Sequence, residues 1–204
     1  MSGPLDALAS GGAPILGRPL NDAELQAFDN YLKLLQKWQK SQRLVGSPDA
    51  RWIVDNLFLD SLLFLKALPE TIGSLADVGS GAGLPGIPLK IVRPQWRVVL
   101  IESRAKRASF LSAAVRELGL QDAVVVPARA EDYAARNPGA FDAVVMRCAG
   151  EFQATARAIA PLVASGGVVV ASGPPTAKPM GLGKWVEVRG LAQAPRRFAV
   201  LEVE

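Results

Sequence analysis

The chain contains no histidine and only one cysteine among its 204 residues. Without an imidazole, the Ser-His and Cys-His nucleophile pairs and every histidine-based metal site are excluded. One cysteine cannot close an internal disulfide. Neither a secretory apolar core nor an apolar run of about 18 residues occurs, so the expectation is a cytoplasmic chain with no membrane span and no metal. Internal repeats are also missing, so the organisation must be read from the order of local elements.

Lys and Arg total 23 against 19 acidic residues, and the net charge of +4 favours an anionic partner without naming one. Half of the residues are hydrophobic, enough for one substantial core and a small appended subdomain. Residues 1–19 are rich in Gly, Pro, Ala and Ser with no sustained period, which predicts a flexible tail. From Asn21, the apolar residues Leu25, Phe28, Leu32, Leu35 and Trp38 recur at steps of three and four, the pattern of an amphipathic helix. Ser47 then offers an N-cap, Pro48 a first helical residue and Asp49 a first-turn acid for a second helix from Trp52 to Leu65. A helical cap over 20–70 is the result.

Beyond Thr71 the rhythm becomes strand, helix, strand. Short β-branched runs at 75–79, 97–102, 123–127, 141–146 and 167–172 alternate with helical stretches near 85–93, 104–118, 130–136 and 151–164. Such alternation predicts a parallel sheet covered on both faces, over 71–204. The chain finishes with two strand-like runs, 184–190 and 196–204, joined without a helix, which predicts an antiparallel hairpin and seven strands in all. The fold class is therefore α/β and Rossmann-like, a mostly parallel seven-stranded sheet with an N-terminal helical cap.

The densest signal is LADVGSGAGLPGIPL at 75–89, with four glycines and two prolines in the ten residues from Gly79. Gly81, Gly83 and Gly86 satisfy the dinucleotide fingerprint, and Glu102 follows at the spacing of a ribose-binding acid, so a nicotinamide enzyme is one reading. Three details favour S-adenosylmethionine. Asp77 at the end of the first strand would repel a pyrophosphate but attract the ammonium of an amino acid. Pro85 and Pro88 remove backbone donors where a phosphate would need them. The terminal hairpin is the usual ending of the S-adenosylmethionine fold and not of the dinucleotide unit.

Three further strings carry a narrower likeness: GLPGIPLKIVRP after the glycine loop, ESRAKRASFL at the end of the second strand, and FLDSL at 58–62. From about Tyr31 onward the chain resembles the bacterial small-subunit rRNA guanine-N7 methyltransferases, also called glucose-inhibited division protein B. The resemblance implies a class I methyltransferase using S-adenosylmethionine to modify N7 of guanine 527 in 16S rRNA of the small ribosomal subunit; a monomer is the expectation. For the cofactor it implies Asp77, Gly79, Ser80, Gly81, Gly83, Leu84, Glu102, Ser103, Ala130, Glu131 and Arg147. For catalysis and RNA it implies Arg147, Arg129, Lys106 and Arg196. Arg147 is the strongest of these, because an unexplained charge at the end of a central strand faces the site. Guanine N7 and O6 are acceptors, which suits arginine.

The chemistry agrees with the missing histidine. Guanine N7 bears a lone pair and no proton, so it can attack a methyl group without a general base. Cys148 reads as packing, since nothing present would activate it. Trp38 and Trp52 read as core residues with apolar partners three and four positions away.

The likeness has gaps. The family's N-L-T is Arg43, Leu44, Val45 here; the histidine before F-L-D-S is Leu57; S-R-A is Met146, Arg147, Cys148; and a lysine after the fifth strand is Ser172. These changes bear on RNA handling more than on the cofactor. A same-fold methyltransferase with another acceptor and a non-catalytic rRNA-binding relative are the alternatives.

Overall fold

The computed structural model describes residues 3–147, 152–173, 181–189 and 195–204. Cys148, read above as a packing residue, lies outside them. Seven strands form one sheet in the order β3-β2-β1-β4-β5-β7-β6: β1 (Ser74–Val78), β2 (Arg97–Ile101), β3 (Ala123–Val126), β4 (Phe141–Arg147), β5 (Val163–Ser172), β6 (Lys184–Val188) and β7 (Arg196–Glu202). β1 to β5 pair in parallel, and β7 inserts antiparallel between β5 and β6. The order reverses between β2–β1 and β4, the crevice where open α/β sheets bind ligands. Strand alternation in the sequence locates all seven.

Residues 1–19 correct the sequence reading. Their composition predicts a flexible tail, yet Pro4–Leu16 form helix α1 with Ala7, Leu8, Gly12 and Ile15 buried. Gly12, a helix breaker by propensity, lets the helix approach closely: a Cβ there would lie 2.5 Å from Leu20 Cδ1. Tertiary burial has overridden the low helix propensity of Gly and Pro. Arg18 then pairs with Glu24 at 2.6 Å, tying α1 to helix α2 (Asp22–Gln39).

Asn21 caps α2 by accepting the Glu24 N–H at 2.8 Å. Phe28, Leu32 and Leu35 of the predicted stripe are buried, joined by Tyr31 and Leu34, while Leu25 and Trp38 are partly buried against the same cluster. The second helical run departs in detail. Asp49, not Ser47, is the N-cap, accepting the Trp52 N–H at 2.7 Å. The run then passes through α3 (Ala50–Ile53), a π-helical turn (Val54–Phe58), α4 (Leu59–Leu62) and a 3-10 turn (Leu63–Lys66). Phe58 joins the layers, with its ring 5.2 Å from Phe28 and 5.1 Å from Tyr31. Burying such a ring stabilises the fold by about 2–3 kcal/mol.

Period-two alternation splits the core. Leu75, Leu100, Val145, Val170 and Phe198 face the cap and share one cluster with Leu8, Phe28, Leu35 and Phe58. α5 (Gly86–Val92) and α6 (Ala105–Glu117) complete that layer. Ala76, Val99, Val144, Met146 and Val169 point the other way, against α7 (Ala130–Ala134) and α8 (Phe152–Ile159). Trp38 meets Phe110 of α6 edge-on at 5.6 Å, and Trp52 packs half-buried against the cap-side cluster, as expected of core residues.

Candidate active site

The same alternation gathers the charged residues. One step of two beyond Leu75 is Asp77, beyond Leu100 is Glu102, beyond Val145 is Arg147 and beyond Val170 is Ser172; one such step before Phe198 is Arg196. All five therefore occupy the cap-facing side at the carboxyl edge of the parallel strands. The register places Asp77 opposite Val145, and Arg147 opposite Ser172.

The glycine loop is built around Asp77. This residue is fully buried, and its Oδ2 accepts the Ser80 hydroxyl at 2.6 Å and the Gly86 N–H at 3.0 Å. Its Oδ1 is buried with no hydrogen-bond partner among the described residues. Burial pushes the carboxyl up to about 6, against the opposing effects of the Ser80 and Gly86 bonds and the charge of Arg147. Gly86 is required by this closeness, because a Cβ there would sit 2.7 Å from Asp77 Oδ2 and 2.5 Å from Leu100 Cδ2. Glu102, also buried, accepts the Gly81 N–H at 2.9 Å and the Arg104 N–H at 2.8 Å, so β2 and the loop are fastened together. Above Gly79 the backbone is bare, with none of the described residues within 4 Å of where a Cβ would be.

Tyr31 reaches the loop from the cap. Its buried hydroxyl donates to the Ala82 carbonyl, and burial, followed by the charge of Asp77, pushes its pKa well above the ordinary phenol range. Ser80 and Leu84 are buried in the same turn, whereas Ser103 is exposed.

The arginine half is assembled across the chain. Arg147 Nη1 lies 2.9 Å from Asp60 Oδ2, and its Nη2 donates to the Leu57 carbonyl at 3.1 Å and the Ser61 hydroxyl at 2.8 Å. Its Nε is buried with no partner among the described residues. Arg196 donates through Nε to Asp60 Oδ1 at 2.7 Å and through Nη1 to the Gly173 carbonyl at 2.8 Å. The charge of Arg147, unexplained by the sequence alone, is thus explained by a carboxylate from the cap. Burial lowers the Arg147 pKa, an effect that Asp60 opposes and Arg196 reinforces.

The structure does not bring all four predicted basic residues together. Arg147 and Arg196 share Asp60, while Lys106 is exposed in the first turn of α6 and Arg129 is exposed just before α7. β3, which precedes Arg129, stands three strands from β4, about 14 Å away at the usual strand spacing. Ala130 is half-buried and Glu131 exposed, both at the start of α7. Tyr31, Asp60 and Ser61 are site residues that sequence reasoning does not single out, although FLDSL carries part of the family likeness. Chemically, the arrangement offers fixed charge and shape, with no imidazole to shuttle a proton.

The profile of the family described as rRNA small subunit methyltransferase G matches residues 24–173. The chain belongs to that family. Ribosomal RNA small subunit methyltransferase G of Pelotomaculum thermopropionicum is 40% identical over 171 residues, covering 82% of this chain and 71% of that protein. The protein of the same description from Nitrosospira multiformis is 41% identical over 145 residues, which span 71% of this chain and 64% of that one. Among solved structures, a hypothetical protein of Thermus thermophilus superposes with a TM-score of 0.51 at 24% identity, over 71% of this chain and 82% of the other. The C-terminal domain of precorrin-6Y C5,15-methyltransferase from Rhodobacter capsulatus does so at 0.50 and 21%, over 70% and 86%. These structural likenesses bear on the fold alone, which is the Rossmann-like class I methyltransferase fold.

Proposed function

We propose that this member of the family transfers a methyl group from S-adenosylmethionine to N7 of guanine 527 in 16S rRNA of the small ribosomal subunit, acting as a cytoplasmic monomer. The observation that carries the reading is Asp77 Oδ1, a buried acceptor with no partner among the described residues, beside bare glycine backbone at the sheet's switch point. An unmet buried acceptor fits the ammonium of an amino acid, and it does not fit a pyrophosphate.

When bound, S-adenosylmethionine supplies a methyl group on a positively charged sulfur, open to attack by a lone pair. Asp77 would hold the ammonium through Oδ1, while Oδ2 keeps Ser80 and Gly86 in place. Glu102 uses one lone pair on each oxygen for loop amides and retains others for ribose hydroxyls. Gly79 to Leu84, Ser103, Ala130 and Glu131 are the further residues that would hold the cofactor, the last two at its adenine. Arg147 pairs with the cap through Nη1 and Nη2, and its Nε, without a partner among the described residues, would be the donor for ligand. Arg147 and Arg196 set positive charge where guanine presents N7 and O6. Lys106 and Arg129, farther along the edge, meet RNA phosphate. No residue has to remove a proton, because N7 carries none. Catalysis is then a matter of proximity and orientation.

Position 57 bears on the departures from the family pattern. Leu57 contributes its backbone carbonyl to Arg147, a contact that any side chain preserves. This favours a retained activity over a lost one. The test is to incubate the protein with methyl-labelled S-adenosylmethionine and small subunits from a strain lacking the modification, then map 7-methylguanosine by borohydride and aniline cleavage. Label at guanine 527 is the expected result. Label elsewhere moves the acceptor, and cofactor binding without label makes the chain a non-catalytic rRNA-binding relative.

A further inference from the structure

The cap does more than cover the site. Asp60 places one carboxylate between two guanidiniums, with Oδ2 2.9 Å from Arg147 Nη1 and Oδ1 2.7 Å from Arg196 Nε. Its side chain is only 16% exposed, and those of the arginines are 24% and 27% exposed, so solvent screens the three charges weakly. Two like charges would otherwise repel each other across the carboxyl edge of β4, β5 and β7. Asp60 also sets orientation. With Ser61 and the Leu57 carbonyl it turns the Arg147 fork toward the cap, and Nε is left without a partner among the described residues. Arg196 is held on the same carboxylate and on Gly173, beside the Phe198 ring at 5.8 Å.

We propose that Asp60 is a positioning residue for methyl transfer, acting through Arg147 and Arg196 to fix the direction from which positive charge meets the acceptor base. The inference rests on the reading that these arginines face the acceptor. Asp60 serves the arginines rather than the RNA: its carboxylate is paired with both guanidiniums, offers no donor to guanine N7 or O6 and repels phosphate. Removing its charge therefore leaves the site with one more net positive charge but with no common anchor for the two guanidiniums. Binding of a polyanion does not weaken, whereas the aligned geometry is lost.

Asp60→Asn tests this in single-turnover transfer to unmodified small subunits, with thermal melting and S-adenosylhomocysteine affinity measured alongside. A loss of about 100-fold in transfer rate is expected, the scale of an ångström misplacement. Subunit affinity and S-adenosylhomocysteine affinity should each hold within about threefold, roughly the range of an exposed charge effect. Asp60→Glu keeps the charge and should recover part of the rate. An unchanged rate in Asp60→Asn, or a loss confined to subunit affinity, overturns the proposal. If Asp60→Asn gives no cooperative melt, Ser61→Ala carries the test, because it removes one Arg147 bond and no charge. A several-fold loss of rate is expected of it, and none would overturn the proposal. Absence of transfer by the unsubstituted chain overturns the functional reading and this proposal with it. Equal transfer by the unsubstituted chain and Asp60→Asn overturns the positioning role alone.

Discussion

The two halves of the site are built on opposite plans. The glycine-loop half is local: Asp77, Ser80, Gly81, Gly86 and Glu102 fall within 26 residues and bond mainly to one another, with one buried oxygen unmet among the described residues. The arginine half is distributed, joining residues 57–61 of the cap to Arg147, Gly173 and Arg196. A local half can be specified by a short motif and keeps an acceptor for a small ligand. A distributed half ties the cap to three strands, so its geometry reports whether the whole domain is assembled. Under the proposed function, cofactor binding falls to the first half and orientation of the acceptor to the second.

The sharpest way to break the comparison is Arg147→Ala. Transfer should fall by more than about 100-fold, comparable with losing a preorganised charge at a reacting centre, while S-adenosylhomocysteine affinity changes little by calorimetry. Asp77→Ala should do the reverse, weakening S-adenosylhomocysteine by about 30-fold or more, the scale of truncating one member of a buried charge pair. A loss of both properties in both variants would dissolve the distinction.

The pH dependence refines the first half. Asp77 is held at about 6 and must be ionised to attract an ammonium, so ligand affinity should rise with pH through about 6 and level off above it, by up to about tenfold per unit. Asp77→Asn should flatten that profile. The sign for folding is opposite: the carboxyl binds its proton more tightly folded than unfolded. Stability of the ligand-free protein should therefore increase as pH falls from about 6 toward 3.8, and denaturant titration across that window reads it. The smallest effects belong to Lys106→Ala and Arg129→Ala. Each should change transfer by only about twofold to threefold and lower the salt slope of RNA binding by about one.

How legible the molecule is from its sequence follows the same division. β-branched runs and their alternation with helices locate every strand, and the spacing of Asp77, the glycines and Glu102 locates the loop, because both signals are short-range. Asp60 escapes because nothing in FLDSL says which distant cation its carboxylate meets, and the face of the sheet that the cap covers is known only from the fold. The unmet Oδ1 of Asp77 cannot be read from sequence, since it depends on which donors the folded loop supplies. Helix α1 is missed for a related reason: Gly12 breaks a helix by propensity and enables one by close packing against Leu20.

The central claim, that cofactor binding and acceptor orientation reside in separate halves, is tested most directly by measuring S-adenosylhomocysteine affinity and single-turnover methyl transfer in Asp77→Ala and Arg147→Ala side by side. The account predicts that Asp77→Ala loses affinity and regains transfer at saturating cofactor, while Arg147→Ala keeps affinity and loses transfer at any cofactor concentration. An Arg147→Ala protein whose transfer is restored by excess S-adenosylmethionine would contradict it.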